Sequence, residues 1–183
     1  MSEKPWLAHY PEEVPHTLTY PSMPVQEYLT KAYEDFPQKT AIHFLGRELS
    51  YEELYESAMK MANYLQKLGI QKGDRVSIML PNCPQAVISF YGILYAGGVV
   101  VMTNPLYTER EISYQMKDSG AKAIIALDIL FPRINKVIKE TELENVIVTG
   151  IKDYLTFPKN LVYPFIQKKQ YGMTVKVEHR GIN

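Results

Sequence analysis

From residue 75 onward, short apolar runs alternate with longer amphipathic stretches. Arg75-Val-Ser-Ile-Met-Leu80, Val99-Val-Val-Met102, Ala123-Ile-Ile-Ala-Leu127 and Val146-Ile-Val148 have the length and aliphatic character of strands covered on both faces. Helical stretches separate them. The first follows the Pro81-Asn-Cys-Pro84 turn, carries Tyr91, Leu94 and Tyr95, and ends near Ala96. Gly97 or Gly98 is placed to take the left-handed conformation that closes it. Asn104-Pro105 breaks the next strand. Thr108, with Glu111 three residues on, predicts a capping box for a helix along Ile112, Tyr114 and Met116 that Gly120 ends. A further helix is expected over Ile129 to Glu140. Strands alternating with helices imply right-handed crossovers. The predicted fold class is therefore α/β, a doubly wound, mostly parallel sheet flanked by helices.

Upstream the pattern differs. Residues 1–24 carry Pro5, Pro11, Pro15, Pro21 and Pro24, too many for a helix or central strand, and read as an extended arm anchored by Trp6, Tyr10 and Tyr20. Val25, Tyr28, Leu29, Ala32, Tyr33 and Phe36 have helical spacing, ended by Pro37. Thr40 to Leu45 and Glu48 to Ser50 flank Gly46-Arg47 as a hairpin. Ser50 and Glu53 predict a second capping box, for a helix with Leu54, Ala58, Met61, Ala62, Leu65 and Leu68 on one face and Gly69 at its end. Residues 25–150 thus read as one α/β subdomain. Beyond Gly150 no period is evident until Met173 to Glu178, which alternates like a short strand. Residues 151–183 therefore read as the aromatic-rich start of an incomplete further part, and the chain as a portion of a longer protein.

Composition narrows the classes. Twenty basic and twenty acidic residues cancel, so nothing suggests a nucleic-acid partner. The single cysteine, Cys83, excludes an internal disulfide and a cysteine zinc cluster and suits a reducing, cytoplasmic setting. No secretory leader is evident at the N-terminus. The most apolar window, Ala86 to Thr103, is interrupted by Gly97-Gly98 and reads as a soluble helix and strand.

Candidate chemistry is sparse. There is no phosphate loop of the G-x-x-x-x-G-K-[ST] type, no G-x-G-x-x-G fingerprint and no G-x-S-x-G elbow. Gly97-Gly98 follows a helix and precedes a strand, the reverse of the order that puts a phosphate at a helix N-terminus. His9, His16, His43 and His179 are scattered, and His43 reads as a sheet residue rather than a base or ligand. The spacing of Glu52, Glu56 and Lys60 marks a solvated helix face. Cys83 would need a neighbouring base or cation to act as a nucleophile, Arg75 being the nearest in sequence; it reads as a small packed side chain. Thr103, Asn104 and Tyr107 follow a core strand and either line a crevice at the sheet's edge or simply make the turn. Tyr154, Phe157, Tyr163, Phe165 and Tyr171, with Lys168 and Lys169, read first as a surface packed on neighbouring chain and second as a patch that touches lipid.

Several segments resemble one family. Leu49-Ser-Tyr-Glu-Glu-Leu54 resembles the first core motif of the adenylate-forming enzymes, L-[TS]-Y-x-E-L. Lys72-Gly-Asp-Arg-Val76 is similar to their K-G-D-R-V strand entry, and Leu94-Tyr-Ala-Gly-Gly-Val99 to their second core motif. Asn104-Pro-Leu-Tyr-Thr-Glu-Arg-Glu111 resembles the version in long-chain fatty-acid–CoA ligases. Lys4-Pro-Trp-Leu7, Leu80-Pro-Asn-Cys-Pro84 and Phe157-Pro-Lys-Asn160 resemble its bacterial branch. The series runs in order over nearly the whole chain.

The resemblance implies a two-step reaction. A fatty-acid carboxylate attacks the α-phosphate of ATP with Mg²⁺, giving an acyl-adenylate and pyrophosphate, and coenzyme A thiol then displaces AMP. It also implies that the phosphate-gripping lysine loop, the ribose-binding acid and the mobile C-terminal domain lie outside this chain. The motifs present are scaffold, so no catalytic, cofactor-binding or metal residue is assigned, and none of these ligands is expected to bind the chain tightly by itself. The expected partners are a fatty acid and the rest of the same chain, in the cytoplasm, with peripheral membrane contact and a homodimer left open. A Rossmann-like nucleotide-binding module and a peripheral membrane or interaction domain are the alternatives.

Overall fold

The computed structural model describes residues 4–171. The N-terminal layer contains α1 (Gln26–Asp35), β1 (Thr40–Phe44), β2 (Arg47–Ser50) and α2 (Tyr51–Lys67). β1 and β2 pair antiparallel around Leu45-Gly46, whose φ angles of 50° and 92° give a two-residue turn with both centres left-handed. Ser50 and Glu53 form the expected capping box at α2. α2 buries Leu54, Ala58, Ala62 and Leu65, one side of the helix. Gly69, at φ 88°, lets the chain turn away.

The remainder is β3 (Arg75–Met79), α3 (Pro84–Tyr95), β4 (Val99–Met102), α4 (Glu109–Ser119), β5 (Ala123–Leu127), α5 (Phe131–Val137), β6 (Asn145–Thr149) and α6 (Lys159–Tyr171). The four strands form one parallel sheet in the order β4-β3-β5-β6. The β3→β4 and β4→β5 crossovers run in opposite directions, so right-handed connections place α3 and α4 on opposite faces. β5 is buried throughout and β3 along all but its first residue. Val76, Ile78, Ile124 and Ile125 form the sheet's centre, packed with Leu65, Ile93, Ile112, Met116 and Ile134. Each such aliphatic side chain stabilises the fold by about 1.5–3 kcal/mol through removal from water. Thr108 and Glu111 complete the second predicted box at α4, and Gly120 ends it in the left-handed conformation.

Of the glycine pair expected to end α3, Gly97 takes the left-handed conformation, at φ 84°. The structure departs from expectation in four places. Val99–Met102 is not covered on both faces: β4 is an edge strand, with Val99 47% and Met102 60% exposed. Trp6, Tyr10 and Tyr20 are exposed rather than anchored, and Pro5–His9 is a 3-10 turn. The helix expected over 129–140 is divided into a 3-10 turn at Asp128–Leu130, α5, and a second at Ile138–Glu140. Pro132 accounts for the first break, since it lacks an N–H and its ring excludes the carbonyl four residues earlier. Residues 151–171, in which no period was read, contain a 3-10 turn at Ile151–Tyr154 and then α6. The strand expected over Met173–Glu178, and His179, lie outside the described residues.

Candidate functional site

The two crossovers that leave β3 and arrive at β5 in opposite directions create a switch point between these neighbouring strands. In open α/β sheets a crevice forms there, outside the carboxyl ends of the strands. The segments at this edge are 80–84 after β3, 103–108 after β4, 128–130 after β5 and 150–154 after β6.

The chain's own side chains fill the edge. Gln85, in the first turn of α3 and 6% exposed, donates from Nε2 to the Gly150 carbonyl at 2.9 Å and to Thr149 Oγ1 at 3.4 Å. Its Oε1 is buried without a partner. Asp128, directly after β5, accepts from the Ile129 N–H at 2.8 Å. Gln167 on α6, buried, donates from Nε2 to both Asp128 carboxylate oxygens at 3.0 Å. Asp153 accepts from the Gly150 N–H at 3.0 Å, and the Arg47 guanidinium lies 5.0 Å from the Tyr154 ring. Burial pushes the Tyr154 phenol up, with the Arg47 charge opposing it. Residues 150–167 thus return across the carboxyl edge. Sequence reasoning missed Gln85, Asp128 and Gln167. The one available signal was an acid immediately after the most apolar strand, Leu127-Asp128.

The residues singled out from sequence resolve into structural roles. Thr103 is buried and its hydroxyl meets Ser77 Oγ at 2.7 Å. Asn104 Oδ1 accepts from the Leu106 N–H at 3.0 Å, an Asx turn. Tyr107 packs against the main core, and its carbonyl accepts from Arg133 at 2.7 Å. Thr103 and Asn104 thus make the turn, in a segment that also lies at the sheet's carboxyl edge. Cys83 is the buried residue preceding α3, and burial pushes its thiol up, opposed by backbone hydrogen bonds from Ala86 and Gln85. Arg75 does not serve it, because its Nε donates to the Gly120 carbonyl at 3.3 Å. His43 Nδ1 lies 3.2 Å from Glu48 across the exposed hairpin, as a sheet residue. His16 stacks edge-on to Tyr10, and Lys60 pairs with Glu56 at 3.1 Å on a solvated face. His9 is exposed in the 3-10 turn.

Little here grips phosphate. An open depression of about 500 Å³ between α4 and α5 is lined by Glu109, Arg110, Ser113, Lys117, Lys136 and Glu140. Lys136 pairs with Glu109 at 2.6 Å and Lys117 with Glu140 at 3.4 Å, so those charges compensate one another. At the opposite end of the sheet Lys122 pairs with Asp74 at 2.9 Å. Among the described residues no group of three His, Cys, Asp or Glu could hold a metal ion. Nor is any helix among them long and apolar enough to cross a membrane. Phe157, Leu161 and Phe165 are strongly exposed and Lys168 is exposed.

Comparison with known proteins places these elements. Residues 29–179 match the family of AMP-binding enzymes. A long-chain-fatty-acid–CoA ligase of Bacillus subtilis is 51% identical over 169 residues, which cover 92% of this chain and 30% of that protein. One of Salmonella typhimurium is 39% identical over 171 residues, covering 91% and 30%. Among solved structures, a long-chain-fatty-acid–CoA ligase of Archaeoglobus fulgidus superposes with a TM-score of 0.67 at 22% identity, over 75% of this chain and 30% of that one, a likeness of fold. The chain spans about 30% of the length of the curated relatives it matches.

Proposed function

We propose a function from one premise: the chain belongs to the AMP-binding enzyme family. It is the N-terminal portion of a long-chain-fatty-acid–CoA ligase, and its work there is scaffolding. The observation that carries this reading is 51% identity to such a ligase across nearly the whole chain, in which the Asp74–Lys122, Glu109–Lys136 and Asp128–Gln167 contacts are all internal to the chain.

The full-length protein would activate a fatty acid with ATP, using Mg²⁺, and pass the acyl group to coenzyme A. Its transition state spreads negative charge over the oxygens around the α-phosphorus and needs preorganised cations and N–H donors. The described residues supply none that is free and convergent, so no catalytic, cofactor or metal residue is assigned here. Residues 25–150 hold the sheet's carboxyl edge rigid, and the loops after β3 to β6 form the wall against which the remaining chain builds its pocket. The location is the cytoplasm.

The test is fatty-acid-dependent ATP–pyrophosphate exchange. The full-length protein that carries this segment should catalyse it and the 183-residue chain should not. No exchange by the full-length protein overturns the ligase reading, and exchange by the chain overturns the scaffold reading.

A second reading rests on the exposure of Phe157, Leu161 and Phe165 beside Lys168. An amphipathic stretch of this kind suits the surface of an anionic bilayer. Flotation with anionic liposomes, lost in the Lys168→Glu, Lys169→Glu variant, supports it; no flotation removes it.

A further inference from the structure

We propose that Asp128 and Gln167 are positioning residues of the full-length ligase: their contact fixes the part of the carboxyl edge against which the acyl chain of the fatty acid lies. This role rests on the ligase reading above and adds to it the substrate that the wall serves and the residues that set it.

The contact joins four elements. Asp128 follows β5, and Gln167 comes from α6. Gln167 Nε2 donates to both carboxylate oxygens at 3.0 Å, and Asp128 Oδ1 also takes the Ile129 N–H at 2.8 Å. Gly150, directly after β6, lies alongside, since a Cβ there would be 3.6 Å from Asp128 Oδ2. The Gly150 carbonyl takes Gln85 Nε2 of α3 at 2.9 Å, and its N–H goes to Asp153 at 3.0 Å. The ends of β5 and β6 are thereby held to the start of α3 and to α6. Gln85 and Gln167 are both buried. Apolar side chains of similar volume would fill such positions without the cost of desolvating an amide. What the polar contacts add is a single geometry, because these donors and acceptors meet in only one arrangement.

The edge so fixed is poor in charge. The segments 80–84, 103–108 and 128–130, after β3, β4 and β5, contain no lysine or arginine, and Asp128 is their one charged residue. They carry Leu80, Leu106, Ile129 and Leu130. At the starts of α3 and α4 the N–H groups of Gln85, Ala86 and Glu111 are already bonded, to Cys83 and Thr108. Phosphate needs cations or convergent free N–H donors, which these loops do not bring together. An aliphatic chain needs an apolar wall of fixed shape. ATP and coenzyme A carry phosphates and the fatty acid does not, so the fatty acid is the substrate that fits this edge.

Steady-state kinetics of the full-length protein that carries this segment, with palmitate as the fatty acid, tests the role. Gln167→Glu sets a second carboxylate against Asp128. It should raise KM for palmitate about tenfold and leave kcat and the KM for ATP within about twofold, the pattern of lost binding rather than lost chemistry. Combining Asp128→Asn with Gln167→Glu reverses the contact, keeping an acceptor for the Ile129 N–H and one amide-to-carboxylate hydrogen bond. The reversed pair should return KM for palmitate to within about threefold of the parent. If Gln167→Glu does not fold, Gln167→Met, which keeps the volume and removes the donor, takes its place with the same expected rise. A variant whose Tm falls while its KM values stay those of the parent shows a contact that only stabilises, which overturns the positioning role and leaves the ligase reading standing. So does a KM for ATP that rises as far as that for palmitate, or a reversed pair that melts like the parent but keeps the raised KM. A parent without fatty-acid-dependent exchange overturns the ligase reading, and this role with it.

Discussion

Gln167 holds both carboxylate oxygens of Asp128, each at 3.0 Å, across 39 residues of sequence. The contact ties α6 to the carboxyl end of β5, the most buried strand. Gln167 is itself 4% exposed, so the bond forms away from most of the solvent. Replacing Gln167 by Ala leaves the carboxylate without its main side-chain donor and should lower stability by about 1–3 kcal/mol. Urea unfolding measures this, and trypsin should cleave the variant faster within 159–168. An unchanged midpoint would show that α6 is held by other contacts.

Two glycines hold close approaches between elements. A Cβ on Gly98 would lie 2.9 Å from Ile93 Cγ2 and 3.2 Å from the Asp74 carbonyl. A Cβ on Gly92 would lie 2.7 Å from Met61 Cβ, where α2 and α3 pack. Gly98→Val and Gly92→Ala should each destabilise by about 1–3 kcal/mol through overpacking. Gly97→Ala acts differently. It has room, with 3.4 Å to Lys72, but a φ of 84°, and costs about 1–2 kcal/mol of backbone strain. Thermal melts of the three variants check the distinction, and a Gly98→Val protein that melts like the parent removes the crowding argument.

Ser77 and Thr103 form a buried hydroxyl pair between β3 and the end of β4. Ser77→Ala or Thr103→Val alone strands the other hydroxyl and should cost about 1–3 kcal/mol. The double variant should cost less than the sum, because neither polar group is left unpaired. Strict additivity in the cycle would mean that the two hydroxyls are not coupled.

The Asp74–Lys122 pair sets a pH dependence. The hydrogen bond from Lys122, then that from the Gln71 N–H, holds the Asp74 carboxyl below its ordinary 3.8. A depressed carboxyl contributes stability that is present above the unfolded value and is lost as pH falls through the folded one. Glu111, held below 4.5 by Thr108, and Glu140, held down by Ser113 and Lys117, act in the same direction. Lys122 is raised above 10.5 by Asp74, so its contribution is full below that value and is lost as pH rises further. Asp74→Asn should therefore reduce stability near neutrality and flatten its fall as pH drops below about 4, from the unfolded carboxylate value toward the lower folded one. Denaturant midpoints across that range test the slope; parallel curves for parent and variant would exclude Asp74 as a contributor.

Local signals were legible. Ser50 with Glu53 and Thr108 with Glu111 needed only a spacing of three residues, and both boxes formed. β-Branched runs marked the strands, helical spacing marked α1 to α4, and the ordered motifs pointed to the family that the comparisons then showed. α6 was harder to read. Leu161, Val162 and Phe165 face solvent there, so these apolar residues do not mark an inward face. Sequence by itself determined α1 to α4, the six strands, their parallel arrangement from β3 to β6 and the family, because these follow from interactions a few residues apart or from motif order. Only the tertiary structure decided that β4 lies at an edge, that Gly98 is crowded rather than left-handed, and that Gln167 closes on Asp128. Strand order and contacts between distant residues come from how whole layers pack, and no local spacing encodes them.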